Sequence, residues 1–525
     1  MAKLFLGLDV STQSLSAIII DYDRRKIIYN ESLNFDQSLP HYQTRNGVLP
    51  NRNPLVKHSP PLMWVEALDL AFAQMKKRGV PLGEILAISG SGQQHGSVYL
   101  KAGAGETLAH LDPQLSLAKN LQNIFSRPTS PIWMDSSTGE ECSEIRRKLG
   151  GIKGAAQLTG SDVFERFTGP QIRKFYKTEP ARYARTASIA LVSSFMASIL
   201  AGRIAPIDYG DGAGMNLMDI RKKAWSPRTL NATAPGLKRK LPPLVKSSSD
   251  LGAVSSYFVK KFGLNPAARI FAWSGDNPCS AVGLGLIQEG TAAISLGTSD
   301  TYFGIMTRFC ADTRGEGHVF CSPTGDYMTL NCFKNGSLAR EKVRDQFHLD
   351  WPGFNKAIRS TPPGDNGAIL LPWFEAEIVP RVNRPGIHRF NLDAKDAAAN
   401  CRAVVEAQML SMRLHAQWMK TTPRQIFATG GASDNPVILQ VMADVMNCPV
   451  LRVQASKSAA LGAALSATHG WLAVRGKSAN WQKVIAGFTA PIAASKITPN
   501  KKAARIYNRL LETYAQCERT AQRAS

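Results

Sequence analysis

The sequence predicts an α/β protein of two domains built to one plan. Three observations point there. The chain has 525 residues, more than one hydrophobic core usually covers and a comfortable length for two domains. Residues 4–21 (LFLGLDVSTQSLSAIIID) and 290–306 (GTAAISLGTSDTYFGIM) share a layout of apolar strand, tight turn and second apolar strand. Either alone is an ordinary β-hairpin, but two in one style, each opening a half of the chain, imply a duplication. Between them, strand and helix patterns alternate, as in an α/β fold.

Taken in order, the first hairpin leads into a polar stretch, 34–59, with several Pro and Asn, which reads as irregular. Residues 61–78 form a helix with Trp64, Leu68, Leu70, Ala71 and Met75 on its apolar stripe. Residues 85–88 make a short buried strand that runs into a glycine-rich loop. Residues 187–201 are apolar but broken by Ser188, Ser193, Ser194 and Ser198, so they read as a buried helix and not a membrane span. A strand at 270–273 follows a boundary near 265–270, giving expected domains of 1–268 and 269–525. Beyond it come a long amphipathic helix (397–419), a strand (425–428) and helices at 437–446 and 458–468. Residues 501–524 read as a basic, solvent-facing helical extension.

Bulk composition narrows the class. Hydrophobic residues are 44% and charged residues 20%, the balance of a globular protein. The opening MAKLFLGLDV reads as a strand and not a secretory signal. Eight scattered cysteines form neither CxxC nor a zinc spacing, which suits reduced thiols in a cytoplasm. Sequons at Asn30, Asn231 and Asn335 are then chance. The net charge of +23 raises a nucleic-acid partner, but the charge is spread in short groups (24–26, 221–223, 238–240) with no recognition motif. No nucleic acid or membrane partner is expected. A basic surface equally attracts phosphorylated small molecules.

Five short strings carry the chemistry. In Asp9-Val-Ser11-Thr12-Gln13 a tight turn aims backbone N–H groups and hydroxyls at one point, a concavity that suits phosphate oxygens. Asp9, at a strand end, suits a hydrated magnesium ion. The second turn, Gly297-Thr298-Ser299-Asp300, offers the same, with Gly297 allowing close approach. There is no Walker A string. GSGQQHG (90–96) is not GxGxxG and lacks the later acidic residue of a dinucleotide site, but it presents Gln94 and His95 with glycines that predict exposure. Both suit a polyol, which needs neutral donors and acceptors. SGDNP (274–278) supplies Asp276 as a candidate general base and Asn277 as a second hydroxyl contact. ATGGASDNP (428–436) joins a strand to a helix, and Gly430 and Gly431 let backbone approach a flat ring or a phosphate.

These residues resemble the FGGY carbohydrate kinases of the actin and sugar-kinase superfamily, and within them the animal-type xylulose kinases. The strings that carry the likeness are GLDVSTQ (7–13), SGSGQQHGSVY (89–99), PIWMDSST (131–138), ERFTGPQI (165–172), LVSSFMAS (191–198), PIDYGDGAGMNL (206–217), SGDNP, SLGTSDT (295–301), FKNGSLAREK (333–342) and ATGGASDN (428–435). Each is weak alone; together, in order, they are specific up to about residue 470. Many bacterial xylulose kinases read QMHG where this chain has Gln93-Gln94-His95-Gly96, which favours the animal-type branch.

The resemblance implies two ribonuclease-H-like domains with an interdomain cleft, ATP and Mg2+ as co-substrate and metal, and phosphorylation of D-xylulose. It implies Asp276 as catalytic base; Gln94, His95, Arg166, Asp276 and Asn277 on the sugar; and Asp9 on the metal. Ser11, Thr12, Gln13, Gly297, Thr298, Ser299, Trp351, Gly430, Gly431 and Asn435 would hold ATP. It allows a homodimer without specifying one. Two alternatives stay open: a kinase for ribulose, fuculose, gluconate or glycerol, and a non-catalytic sensor of sugar or ATP.

Overall fold

The computed structural model describes residues 3–453, 456–477 and 479–524. The chain forms two compact units. The first comprises Met1–Ile287, Phe320–Tyr327 and Ser456–Thr489; the second comprises Gln288–Val319, Met328–Ala455 and Ala490–Ser525.

The first unit is organised on one mixed sheet. Its strands are β1 (Leu4–Val10), β2 (Ser14–Asp21), β3 (Lys26–Asn34), β4 (Ile85–Gly92), β5 (Asp250–Ala253) and β6 (Arg269–Phe271), in the order β5–β6–β4–β1–β2–β3. Ser274–Gly275 adds a short seventh strand against β4. β1 runs antiparallel to β2 and parallel to β4, so the predicted hairpin is the middle of the sheet. Every residue of β1 is buried, as expected of a central strand covered on both faces. Helix α1 (Pro61–Lys77) starts with Pro at its first turn and buries Met63, Trp64, Ala67, Leu68, Ala71, Phe72 and Met75. The apolar run at 187–201 is not one helix. Thr186–Leu191 is a strand, and α2 (Val192–Ala201) begins where the Leu191 N–H donates to Ser194 Oγ at 3.0 Å. The serines that break the run serve as a cap and as back-bonded hydroxyls within it. Because β6 pairs parallel to β4, the segment through α3 (Asp276–Gly283) also lies in this unit.

The second unit repeats the layout. Its strands are β7 (Thr291–Leu296), β8 (Asp300–Met306), β9 (His318–Cys321), β10 (Tyr327–Phe333), β11 (Gln425–Thr429), β12 (Val450–Arg452) and β13 (Ile492–Ile497). They are ordered β9–β10–β8–β7–β11–β12–β13. Like β1, β7 runs antiparallel to the other strand of its hairpin and parallel to a later strand, β11. The helices are α4 (Ser337–Gln346), α5 (Trp351–Ser360), α6 (Ala397–His415) and α7 (Pro436–Met446). α6 is capped by Asp396, whose carboxylate accepts the Ala399 N–H at 3.0 Å.

Two late helices depart from expectation. α8 (Ser458–Ala473) lies in sequence between the second unit's β12 and β13, yet it packs on β1 and α3 of the first unit. Its small residues explain this. A β-carbon on Gly462 would lie 1.8 Å from the Cys279 carbonyl oxygen, one on Gly283 would lie 1.9 Å from the Ser458 oxygen, and one on Gly7 would lie 2.1 Å from the Ala460 oxygen. Backbones in such contact leave no room for a side chain. α9 (Lys501–Ala524) is not solvent-facing all round. It buries Tyr507, Leu510, Leu511 and Tyr514, at helical spacing, and α6 grips it. Arg402 donates to the Tyr507 hydroxyl at 2.8 Å, that hydroxyl donates to Glu406 at 2.6 Å, and His415 Nε2 meets Glu518 at 3.0 Å.

Gly462→Ala is expected to destabilise the protein by about 2 kcal/mol or more, since the added methyl meets backbone that cannot move aside. Gly139→Ala, whose β-carbon would meet nothing within 4 Å, is expected to be near neutral. Urea unfolding of the two variants checks the contrast.

Candidate active site

The first unit gathers the predicted carboxylates and sugar-contact residues at the ends of β1 and β4 and the start of α3. Asp9 is buried near the end of β1. Its carboxylate accepts the Ser11 hydroxyl and, at 2.7 Å, the Ser91 hydroxyl. Burial holds its pKa above the usual carboxylate range despite both bonds. The turn after it is closed by Ser11 N–H donating to Ser14 O at 3.0 Å. Gln13 is exposed, and its carbonyl accepts the Phe35 N–H. Trp133, a residue the sequence reading left without a role, donates its indole N–H to Thr12 Oγ1 at 2.7 Å.

Asp276 is the first residue of α3. Its carboxylate accepts the Asn277 backbone N–H at 2.8 Å and the Asn277 side-chain amide at 3.1 Å. The same amide donates to Gln94 Oε1 at 2.8 Å, so Gln94, Asn277 and Asp276 form one chain. Burial first, then the charge of Asp9, pushes the Asp276 pKa up to about 7. Gln94 Nε2 has no partner, a buried donor left over for a ligand.

His95 is buried and not exposed as its flanking glycines suggested. It sits at φ +71°, in the left-handed region that non-glycine residues rarely occupy. Its Nδ1 donates to the Gly214 carbonyl at 2.7 Å, and its ring lies 4.2 Å from that of Phe167. Burial and the nearby Arg166 cation lower its pKa to about 3. The ring is therefore neutral, with Nε2 an acceptor. The Arg166 guanidinium lies 5.3 Å from the centre of the Phe164 ring. Two further carboxylates, Asp208 and Asp211, are fully buried nearby. Asp208 accepts the Asp211 N–H at 2.8 Å, and Asp211 accepts Ser193 Oγ at 2.5 Å. Burial raises the Asp211 pKa well above the ordinary range, and the charges of Asp208 and Asp276 add to this. Both lie in the string 206–217, which was singled out only as part of a likeness.

The second unit holds a cavity of about 650 Å3. Among its lining residues are the predicted Gly297, Thr298, Trp351, Gly431 and Asn435, joined by Ser337, Arg340, Asn355 and Ile438, which the sequence reading did not pick. Ser299 and Gly430 are not among the lining residues. Trp351 opens α5 and lies 4.5 Å under the Arg344 guanidinium. Asn435 caps α7 and donates to Asn355 Oδ1 at 2.7 Å, tying α7 to α5. Gly430 has φ +85°, and a β-carbon there would lie 2.5 Å from the Leu296 carbonyl, so only glycine lets β11 turn beside β7. At Gly431 a β-carbon would meet nothing within 4 Å. The volume and lining suit an adenine nucleotide: a half-exposed indole, open backbone and turn amides. The oxygen-only donors around Asp9 suit Mg2+, which keeps most of its water.

Comparison with known proteins agrees with this picture. Profiles of the N-terminal and C-terminal domains of the FGGY family of carbohydrate kinases match residues 102–283 and 292–471. The xylulose kinase of Rattus norvegicus is 44% identical over 524 residues, covering 98% of this chain and 96% of the relative. Xylulose kinase 2 of Arabidopsis thaliana is 44% identical over 494 residues, covering 90% and 88%. The crystal structure of ligand-bound xylulose kinase from Lactobacillus acidophilus superimposes with a TM-score of 0.81 at 18% identity, over 100% of this chain and 99% of that one. At that identity the likeness speaks to the two-domain α/β fold alone.

The environment of Asp276 has a consequence for stability. Its pKa is higher in the folded protein than the ordinary 3.8, so folding binds a proton more tightly between about pH 4 and 7. The stabilisation from this proton is complete below pH 4 and is lost as pH rises through 7. Full burial would make the loss about 4 kcal/mol; because part of Asp276 still meets solvent, on the order of 2–3 is expected. Asp276→Asn should therefore be more stable than the parent at pH 8 by that amount and equal to it near pH 4, as read by urea unfolding at both values.

Proposed function

Because the chain belongs to the FGGY family of carbohydrate kinases, we propose that it transfers the γ-phosphoryl group of ATP to D-xylulose, giving D-xylulose 5-phosphate and ADP. The observation that carries the reading is Asp276: a carboxylate at a helix start, raised to about pKa 7 and chained to Asn277 and Gln94. The choice of xylulose rests on the rat and Arabidopsis relatives, each 44% identical over most of the chain.

Asp276 accepts the proton of the terminal sugar hydroxyl as that oxygen attacks the γ-phosphorus and ADP departs. A carboxylate with a pKa near 7 is a stronger base than an ordinary one and is still about half ionised at neutral pH. Neutral His95 accepts a sugar hydroxyl at Nε2, Gln94 donates through its spare Nε2, and Arg166 and Asn277 complete the polar surround. In the second unit the 297–299 turn holds polyphosphate oxygens of ATP; in the first, Ser11, Thr12 and Gln13 are the groups suited to phosphate oxygens. Trp351, Gly430, Gly431 and Asn435 hold the nucleoside end. Asp9 would hold Mg2+, which would supply positive charge to offset that of the phosphates. The eight free thiols suit a cytoplasmic setting.

Coupled ADP release separates the alternatives. D-Xylulose is expected to exceed ribulose, fuculose, gluconate and glycerol in kcat/KM by about tenfold or more. Preference for another polyol would move the substrate, and sugar binding without ADP release would revive the sensor. Asp276→Asn should lower kcat by about a thousandfold while the Kd for xylulose changes little. In the parent, kcat/KM should rise with pH through about 7, since only the ionised carboxylate takes the proton. A flat profile with a near-normal variant would remove Asp276 from the role.

A further inference from the structure

The string 333–342 contributes Ser337 and Arg340 to the cavity of the second unit and packs against the 297–299 turn. Arg340, on α4, is fully buried, as is Asp300, the first residue of β8 after the turn. Their bond is two-pronged: NH1 donates to Asp300 Oδ2 at 2.9 Å and NH2 to Oδ1 at 3.2 Å. NH1 also donates to Gln408 Oε1 on α6 at 2.7 Å. Asp300 directly follows the 297–299 turn, so fixing its carboxylate fixes the end of the turn.

The same elements grip the turn a second way. Gln408 Nε2 donates to the carbonyls of Asn335 and Gly336 at 2.7 and 2.9 Å. The Ser337 N–H donates to the Gly297 carbonyl at 2.8 Å. A β-carbon on Gly336 would lie 2.7 Å from the Thr298 oxygen and 2.8 Å from the Gly297 oxygen. The turn's backbone is thus clamped on one side by the guanidinium through Asp300 and on the other by 336–337.

A buried ion pair adds little net stability compared with a well-packed apolar replacement. What a two-pronged guanidinium supplies here is placement, because its planar fork fixes the carboxylate of the residue that ends the turn. We propose that Arg340 is a positioning residue for nucleotide binding, setting the 297–299 turn through Asp300. This rests on the reading of that turn as the polyphosphate grip.

The test is steady-state kinetics with ATP and D-xylulose, ADP titration calorimetry, and melting temperature, on Arg340→Met, Arg340→Lys and Thr298→Val. Arg340→Met is expected to raise KM for ATP and Kd for ADP by about tenfold while KM for xylulose stays within about threefold. Arg340→Lys should recover part of the loss, since it restores charge but not the fork. If Arg340→Met does not fold, Arg340→Lys is judged by the same split between the two substrates. Unchanged nucleotide constants, or equal losses for both substrates, overturn the proposal. If Thr298→Val weakens ADP binding while the Arg340 variants do not, only this inference fails. If neither changes it, the reading of the turn fails as well.

Discussion

The first unit depends on backbone touching backbone. Gly462 and Gly283 let α8 and α3 approach until carbonyl oxygens occupy the space a side chain would need, and Gly7 brings α8 equally close to β1. Since α3 begins at Asp276 and Asp9 is the next-to-last residue of β1, one helix sets the depth of both carboxylates. Rigid close packing of this kind transmits position over several residues, because dense interiors deform little. The chemistry is therefore held by packing some distance from the reacting groups.

That depth decides the electrostatics. Asp9 and Asp276 carry like charges in a place where water solvates them poorly, and each is harder to ionise than in solution. Serine hydroxyls and an asparagine amide offset only part of the burden. His95 responds in the opposite sense, losing its proton because burial and Arg166 both oppose a positive ring. The result is a set of neutral or basic oxygen and nitrogen acceptors, beside Asp211, whose pKa burial raises well above the ordinary range.

Much of this was legible in the sequence because its signals are local. Apolar strands meeting at Ser11-Thr12-Gln13 and at Thr298-Ser299 announce hairpins, and a strand running into Gly430-Gly431 announces a close approach. The partner of α8 was not legible: Gly462 and the alanines around it say that something comes near, but not that it is residue 283. Tyr507, Leu510, Leu511 and Tyr514 did carry a helical stripe, masked by the Lys and Arg around it (Lys501, Lys502, Arg505, Arg509). The glycines beside His95 suggested exposure, whereas Gly96 and Gly214 make room for neighbours that bury it. Arg340, Asp208 and Asp211 stood inside strings already singled out. Their roles come from long-range partners (Asp300, Ser247, Ser193) that no spacing rule reveals.

The placement of α8 also bears on how the molecule is made. A chain emerging from the ribosome presents β1, β2 and β4 early, but the helix that covers one face of them arrives only after residue 458. Until then Phe5, Ile18, Ile20 and Phe271, which pack with Ala460, Leu461 and Ala464 in the finished protein, have no cover. The second unit, most of which lies between, is translated while the first still shows this oily flank. Nascent chains of this design therefore need a chaperone, or fast closure late in translation, to escape clumping.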